Sequence, residues 1–203
     1  MRIIFVTGNE KKLREIREII DDFPIPVVSM REAGVYTEIE ETGTSFRENA
    51  LIKVRSLPLM EDAILMADDS GLSVDALGGA PGIYSSRWMG ADTPYSEKNA
   101  ELIRLLDGRK GEERAAHYTC AVAVRFPDGS EDVFEGIMAG RIAETIRGTN
   151  GFGYDPAFFY PPAGRTAGEM SEEEKNRVSH RFQALSQAKE AVKQYLLKNK
   201  IVF

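Results

Sequence analysis

Cysteine is nearly absent from this chain: Cys120 stands alone among 203 residues. One thiol excludes an internal disulfide and a multi-cysteine zinc site, so the fold must be held by its core. Histidine is scarce as well, with only His117 and His180. No stretch approaches the ~18 consecutive apolar residues of a membrane span. The opening segment 1–6 carries one basic residue and an apolar run too short for a signal peptide. Basic residues are outnumbered, with Lys+Arg 26 against Asp+Glu 32 and a net charge of −6. Binding to duplex nucleic acid or an anionic membrane rests on a basic field that neutralises phosphates. No nucleic-acid and no membrane partner is therefore expected, although a small phosphorylated ligand in a local basic pocket stays open. The expectation is a soluble protein of a reducing compartment.

The residues present describe an ordinary globular protein, 42% hydrophobic and 29% charged. A chain of this length buries roughly 70% of its unfolded surface and needs no staple. Residues 2–6 form a short apolar run ended by Thr7-Gly8-Asn9, read as a buried strand entering a turn. Leu13, Ile16, Ile19 and Ile20 then recur at helical spacing. Val27-Val28 reads as the next strand. Ser45 and Glu48 fit a capping box opening a second helix that carries Phe46, Ala50 and Val54. Residues 64–67 read as a buried strand stopping at Asp68-Asp69-Ser70-Gly71. A third helix is expected from near Ser96 to a glycine cap at Gly108. Runs 118–126 and 131–138 bracket Pro127-Asp128-Gly129, a hairpin signal. A glycine-rich loop follows at 148–156, with a last helix from about Ser179. The expected fold is α/β: a mixed central sheet with long antiparallel strands flanked by helices, in two lobes around a substrate cleft. The chain reads as one domain, 1–203, with a central lobe at roughly 110–145.

Four constellations could carry chemistry. A strand-to-helix turn at Thr7, Gly8, Asn9, Glu10, Lys11 and Lys12 combines backbone N–H groups, a helix dipole and cations, which suits an anion. It is not a Walker A loop. Glu38, Glu40 and Glu41, with Asp68 and Asp69, supply hard oxygen donors of the kind Mg²⁺ takes. Adjacent aspartates after an apolar strand are costly inside without a cation, whereas a strand's C-terminal end would aim them into a ligand crevice. Glycines around Phe152 would let a planar base stack on its ring, worth about 1–3 kcal/mol. Finally, Lys175, His180 and Arg181 cluster near the last helix, and Lys53 lies one turn after Asn49 on the second. Each also reads as ordinary structure when taken alone: a plain turn, a solvated acidic loop, a core aromatic, a surface lysine.

Their order together is more specific. T-G-N-x-x-K at 7–12, E-E-T-G at 40–43, F-x-E-N-A-x-x-K at 46–53, A-D-D-S-G-L at 67–72 and L-G-G-A-P-G at 77–82 run in series. G-F-G-Y-D-P at 151–156, Lys175 and S-H-R at 179–181 follow. Over nearly its whole length the chain resembles the inosine triphosphate pyrophosphatase family, also called XTP/dITP diphosphatases. Trp88 stands where that family is expected to have tyrosine or phenylalanine, and the segment before Tyr118 is variable.

The resemblance implies Mg²⁺-dependent hydrolysis of ITP, dITP and XTP to the monophosphate and pyrophosphate by a cytoplasmic homodimer that cleanses the nucleotide pool. It makes Asp69 the proton acceptor and a metal ligand, and Glu40 the other metal-binding carboxylate. Thr7 to Lys12, Ser70, Phe152, Gly153, Tyr154, Asp155, Lys175, His180 and Arg181 would bind substrate. Chemistry agrees on several points. Lys12 and Lys53 would neutralise phosphates, and Asp69 would deprotonate water for in-line attack without a covalent nucleophile. A donor such as Arg181 or His180 would pair with the 6-oxo group and reject adenine. Two rivals are a Maf-like pyrophosphatase for modified pyrimidine or methylated nucleotides and a non-catalytic nucleotide sensor. The base-side motifs speak against the first, and the carboxylate pair against the second.

Overall fold

The structure, a computed structural model, describes residues 1–201 and the side chains of all of these except Glu10 and Lys11. Seven strands form one mixed sheet: β1 Arg2–Phe5, β2 Val27–Ser29, β3 Ala63–Val74, β4 Ala115–Arg125, β5 Glu131–Ile142, β6 Phe158–Tyr160 and β7 Arg165–Thr166. Their order is β2-β1-β3-β4-β5-β6-β7. β1 runs parallel to both β2 and β3, while β6 runs antiparallel to β5 and β7. Five α-helices accompany them among the described residues: α1 Glu10–Ile19, α2 Phe46–Arg55, α3 Tyr95–Leu105, α4 Glu172–Asn176 and α5 His180–Lys198. No helix among the described residues is long and apolar enough to cross a membrane.

Local chemistry explains most boundaries. The Asn9 side chain accepts the Lys12 N–H and so caps α1. At α2 the Ser45 hydroxyl caps the Glu48 N–H, but the Glu48 carboxylate turns to the Thr44 N–H and hydroxyl. Only half of the expected capping box forms there, whereas Ser171 and Glu174 complete theirs. α3 starts one residue earlier than its spacing suggests, directly after Pro94, and Gly108 lies beyond its end at φ 76°. The hairpin closes through Phe126 and Ser130.

The largest departure is β3. Sequence reading stops this strand at Asp68, yet it runs on to Val74, 12 residues in all. The two aspartates therefore lie mid-strand rather than at a C-terminal edge. Polar side chains usually end a buried strand because burial strips their water; here cations replace it.

The chain divides into two compact units, one of residues 1–69, 120–136 and 181 onward, the other of 70–119 and 137–180. In the first, the two-residue period of the strands sorts side chains onto two faces. Ile3, Phe5, Ile64, Met66, Cys120, Val122 and Val124 pack with Leu13 and Ile16 of α1 and Leu185, Ala188 and Val192 of α5. Ile4, Val6, Leu65, Ala67, Ala121 and Ala123 face the other way, toward Ala50 and Val54 of α2. In the second unit, Leu72, Val74, Leu102, Tyr118, Met138, Tyr154 and Phe158 form the core. There the buried Arg114 guanidinium donates to the carbonyls of Leu106, Ile142 and Ala143.

Close approach in the second unit leaves no room at Gly140. A Cβ there would sit 2.5 Å from the Phe159 carbonyl oxygen and 2.6 Å from the Phe158 ring. Gly140→Ala is expected to lower stability by about 1–3 kcal/mol, read from urea unfolding. Gly8→Ala, with no atom within 4 Å of the added carbon, is the control that should leave stability unchanged.

Candidate functional site

Period-two geometry decides where each aspartate of β3 points. Asp68 shares the parity of Ile64 and Met66 and lies on the face covered by α1 and α5. Asp69 shares the parity of Leu65 and Ala67 and lies on the face covered by α2. Each carboxylate makes its own direct side-chain pairs.

Asp68 is buried. Its Oδ2 is 3.3 Å from the Lys12 ammonium and accepts from Arg181 Nε at 3.3 Å, with the Cys120 thiol at 3.9 Å. Arg181 also donates through Nη1 to Glu15 at 2.5 Å. Burial opposes the charged form of Asp68, but Lys12, Arg181 and Lys53 outweigh it and hold the carboxyl well below its usual range. Burial likewise opposes the Arg181 charge, while Glu15 and Asp68 raise its pKa further. The Asp68 Oδ1 atom is buried without a hydrogen-bond partner among the described residues.

On the opposite face, Lys53 of α2 donates to Asp69 Oδ1 at 3.1 Å and to the Asp68 carbonyl at 3.0 Å, and pairs with Glu41 Oε1 at 2.7 Å. Asn49, one turn earlier, donates to Asp69 Oδ2 at 3.2 Å. Burial pushes the Asp69 carboxyl upward; Lys53 and Lys12 pull it back, and Glu41 adds to the rise, leaving it above its ordinary value. Burial works against the Lys53 charge, yet Asp69, Asp68 and Glu41 keep its pKa raised.

The acidic loop thus brings Glu41, not the expected Glu40, to this cluster. Glu40 is exposed, because neighbouring residues of an extended segment point in opposite directions. Arg181, expected to address a base, is committed through its guanidinium to Glu15 and Asp68. Thr7, Gly8, Asn9 and Lys12 do gather at the start of α1. There the Thr7 hydroxyl accepts the Asn9 N–H and the Asn9 oxygen caps the helix. The side chains of Glu10 and Lys11 lie outside the described residues.

The second unit gathers the remaining candidates. Asp155 is buried, and both its oxygens are used. Oδ2 accepts from Lys175 Nζ at 2.7 Å and from the Phe152 N–H at 2.9 Å, and Oδ1 accepts from the Tyr118 hydroxyl at 3.2 Å. The Lys175 ammonium lies 5.0 Å from the Phe152 ring centre. His180 stacks on Tyr118, the rings 4.8 Å apart and within 9° of parallel. Tyr154 is a core residue whose hydroxyl donates to the Ser85 carbonyl, and the Gly153 carbonyl accepts from Asn99. Asp155 therefore acts as a clip that shapes the loop and holds Lys175 beside Phe152. Ser70 occupies a half-buried position in β3.

Sequence reasoning missed Glu15, Asn49 as a hydrogen-bonding partner, and Tyr118. Glu15 carried one signal, a carboxylate next to the apolar stripe of Leu13 and Ile16. Tyr118 follows the inward alternation of β4 and looks like plain core.

The described residues hold no group of three or more His, Cys, Asp or Glu that could bind a metal. Glu41 and Asp69 nevertheless share one ammonium, a place where oxygen ligands converge on positive charge. Two carboxylates, completed by water and substrate phosphates, fit the coordination habits of Mg²⁺.

Comparison with known proteins gives consistent results. The Ham1 family model matches residues 3–191. A Caldanaerobacter subterraneus subsp. tengcongensis protein named dITP/XTP pyrophosphatase is 43% identical over 201 residues, covering 98% of this chain and all of its own. One of the same name from Listeria monocytogenes is 42% identical over 186 residues, 92% of each chain. The solved HAM1 protein from Coxiella burnetii superposes with a TM-score of 0.85 at 37% identity, covering 96% of this chain and 99% of that one. A Mycobacterium abscessus structure described as nucleoside-triphosphatase / dITP/XTP pyrophosphatase gives 0.73 at 40% identity, with 93% and 98% covered.

The lowered Asp68 pKa has a consequence for stability. A depressed carboxylate stabilises the fold above the unfolded value of about 3.9, and that contribution is lost as pH falls toward the lower folded value. Asp69, shifted upward, acts with the opposite sign. Asp68→Asn is expected to flatten the fall in Tm between about pH 5 and pH 3 relative to the unsubstituted protein. Thermal melts across that range provide the check, and an unchanged acid limb would contradict the assignment.

Proposed function

The chain belongs to the Ham1 family, and from that premise we propose that it is a pyrophosphatase of deaminated purine nucleotides. It converts dITP, ITP and XTP to the monophosphate and pyrophosphate and so cleanses the nucleotide pool. The observation that carries this reading is the cluster of Asp69, Lys53 and Glu41 beside the N-terminal turn. A desolvated carboxylate, more basic than usual, lies among cations suited to phosphates. Relatives named dITP/XTP pyrophosphatase at about 42% identity over nearly the full chain support the substrate class.

Asp69 accepts the proton of the attacking water. Its raised pKa makes it a stronger base than an ordinary aspartate, as a general base requires. Attack falls on the α-phosphorus, since pyrophosphate is the leaving group. Lys12 and Lys53 balance phosphate charge, and the α1 N-terminus adds its dipole. Glu41 and Asp69 would hold Mg²⁺, which supplies charge neutralisation and a lowered pKa for water bound to it. Magnesium dependence, a homodimeric state and cytoplasmic residence belong to the same proposal and rest on the family resemblance.

On the base side, Phe152 offers a stacking face on a loop that Asp155 fixes, and Lys175 stands beside it. Because the Arg181 guanidinium is engaged with two carboxylates, the donor to the 6-oxo group falls to His180 or to loop backbone N–H groups. A non-catalytic sensor would have no use for a basic carboxylate held by a lysine and an amide.

Pyrophosphate release from dITP, XTP, dGTP and dATP tests the assignment. Asp69→Asn is expected to lower kcat by about 10²- to 10⁴-fold. Equal turnover of dGTP and dITP would sink the specificity claim. Phe152→Ala is expected to raise KM about tenfold with kcat little changed, since stacking acts alike on ground and transition states. A main effect on kcat would count against the stacking role.

A further inference from the structure

Asn49 is fully buried, and the reaction as described gives it no task. Its amide nevertheless spans the two parts of the carboxylate cluster. The Oδ1 atom accepts the Gly43 N–H at 2.8 Å, and Nδ2 donates to Asp69 Oδ2 at 3.2 Å. Gly43 lies two residues after Glu41, on the loop that carries that carboxylate to Lys53. The approach is tight: a Cβ on Gly43 would sit 2.7 Å from Asn49 Oδ1, 2.8 Å from Glu48 Cβ and 2.9 Å from Asn49 N. Only a loop without a side chain at 43 can come this close.

The geometry points to Asn49 as a positioning residue that clamps the acidic loop to Asp69 and fixes the direction of the Asp69 carboxylate. The role rests on the reading of Asp69 as proton acceptor. An amide suits it because it carries a donor and an acceptor on one rigid plane. With Oδ1 committed to the loop N–H, Nδ2 is turned toward Asp69. Lys53 holds Asp69 Oδ1 while Asn49 holds Oδ2, so rotation about the terminal bond of Asp69 is blocked from both sides. Glu41 is placed by the same clamp through its loop. Catalytic geometry of this kind depends on supports that touch no substrate.

Asn49→Asp is the informative substitution, since it keeps size and the acceptor to Gly43 but sets a carboxylate against Asp69. We expect kcat for dITP to fall by about 10- to 100-fold, the scale of one hydrogen bond to a charged group. KM should stay within about threefold, because both ends of the Asn49 amide are taken by Gly43 and Asp69. Asn49→Ala, which adds no repulsion, should lower kcat in the same sense. The exchanged pair Asn49→Asp with Asp69→Asn restores one amide facing one carboxylate. It should regain the Tm lost by Asn49→Asp alone while kcat remains at the level of Asp69→Asn. Full turnover in both Asn49 variants beside an inactive Asp69→Asn would overturn the clamp. So would an exchanged pair no more stable than Asn49→Asp. Full turnover in Asp69→Asn by itself would instead remove the base, a separate failure visible in that single variant.

Discussion

Two adjacent carboxylates in the middle of an apolar strand are tolerable only if positive charge and hydrogen-bond donors meet each of them inside the protein. Because neighbouring strand residues face opposite ways, no one side chain can pair directly with both carboxylates, although Lys12 and Lys53 are felt electrostatically by each. The elements of the first unit are arranged around that requirement. α1 brings Lys12 and α5 brings Arg181 to one face, while α2 brings Lys53 and Asn49 to the other. Helices that would otherwise only cover a sheet with apolar side chains each supply a polar residue at one level of it. Continuation of β3 through the aspartates follows from that supply.

The two faces give identical side chains different characters. Asp68 is surrounded by net positive charge and held strongly ionised, which suits a fixed electrostatic tie between α1, β3 and α5. Asp69 shares its lysine with Glu41, so the attraction it feels is divided and desolvation prevails. Pairs of titratable groups whose surroundings push them apart commonly hold different roles. Here the separation comes from the alternation of a strand. The carboxylate left more basic is the one beside the acidic loop.

Much of the architecture could be read from the sequence because it is written in local periods. Arg2 to Val6, Leu13 to Ile20 and the run from Tyr118 to Phe126 announce strand, helix and strand through spacing alone. The motif series also pointed to side chains that the fold brings into close ion pairs, including Lys12, Lys53, Asp69 and Lys175. What stayed hidden was which residues pair with which. Glu40 and Glu41 are equivalent in composition, and only the path of an irregular loop decides which reaches Lys53. Arg181 looked like a ligand donor because nothing local shows that Glu15, 166 positions earlier in the chain, will meet it. Asp155 likewise has the chemistry of a ligand contact, but the return of Lys175 and Tyr118 makes it a clip. Long-range partners consume polar groups, and spacing rules carry no information about them.

The commitment of Arg181 changes how selectivity must work under the proposed activity. A free guanidinium would pair with any 6-oxo purine, guanine included, and by itself could separate only adenine from the rest. With that side chain paired to Asp68 and Glu15, the proposed activity would place recognition on groups whose positions are set by the fold. These are the imidazole of His180, flat against Tyr118, and the backbone of the loop that Asp155 holds. Fixed donors discriminate through geometry and through the cost of leaving a buried group unpaired, which exceeds what an adaptable side chain can impose. Guanine's 2-amino group is a donor where xanthine has an acceptor and hypoxanthine has only hydrogen. A rigid edge presenting donors accepts the second, leaves room for the third and repels the first. Under the proposed activity, rigidity in the second unit would contribute to selectivity, and it would originate in the buried Asp155–Lys175–Tyr118 set.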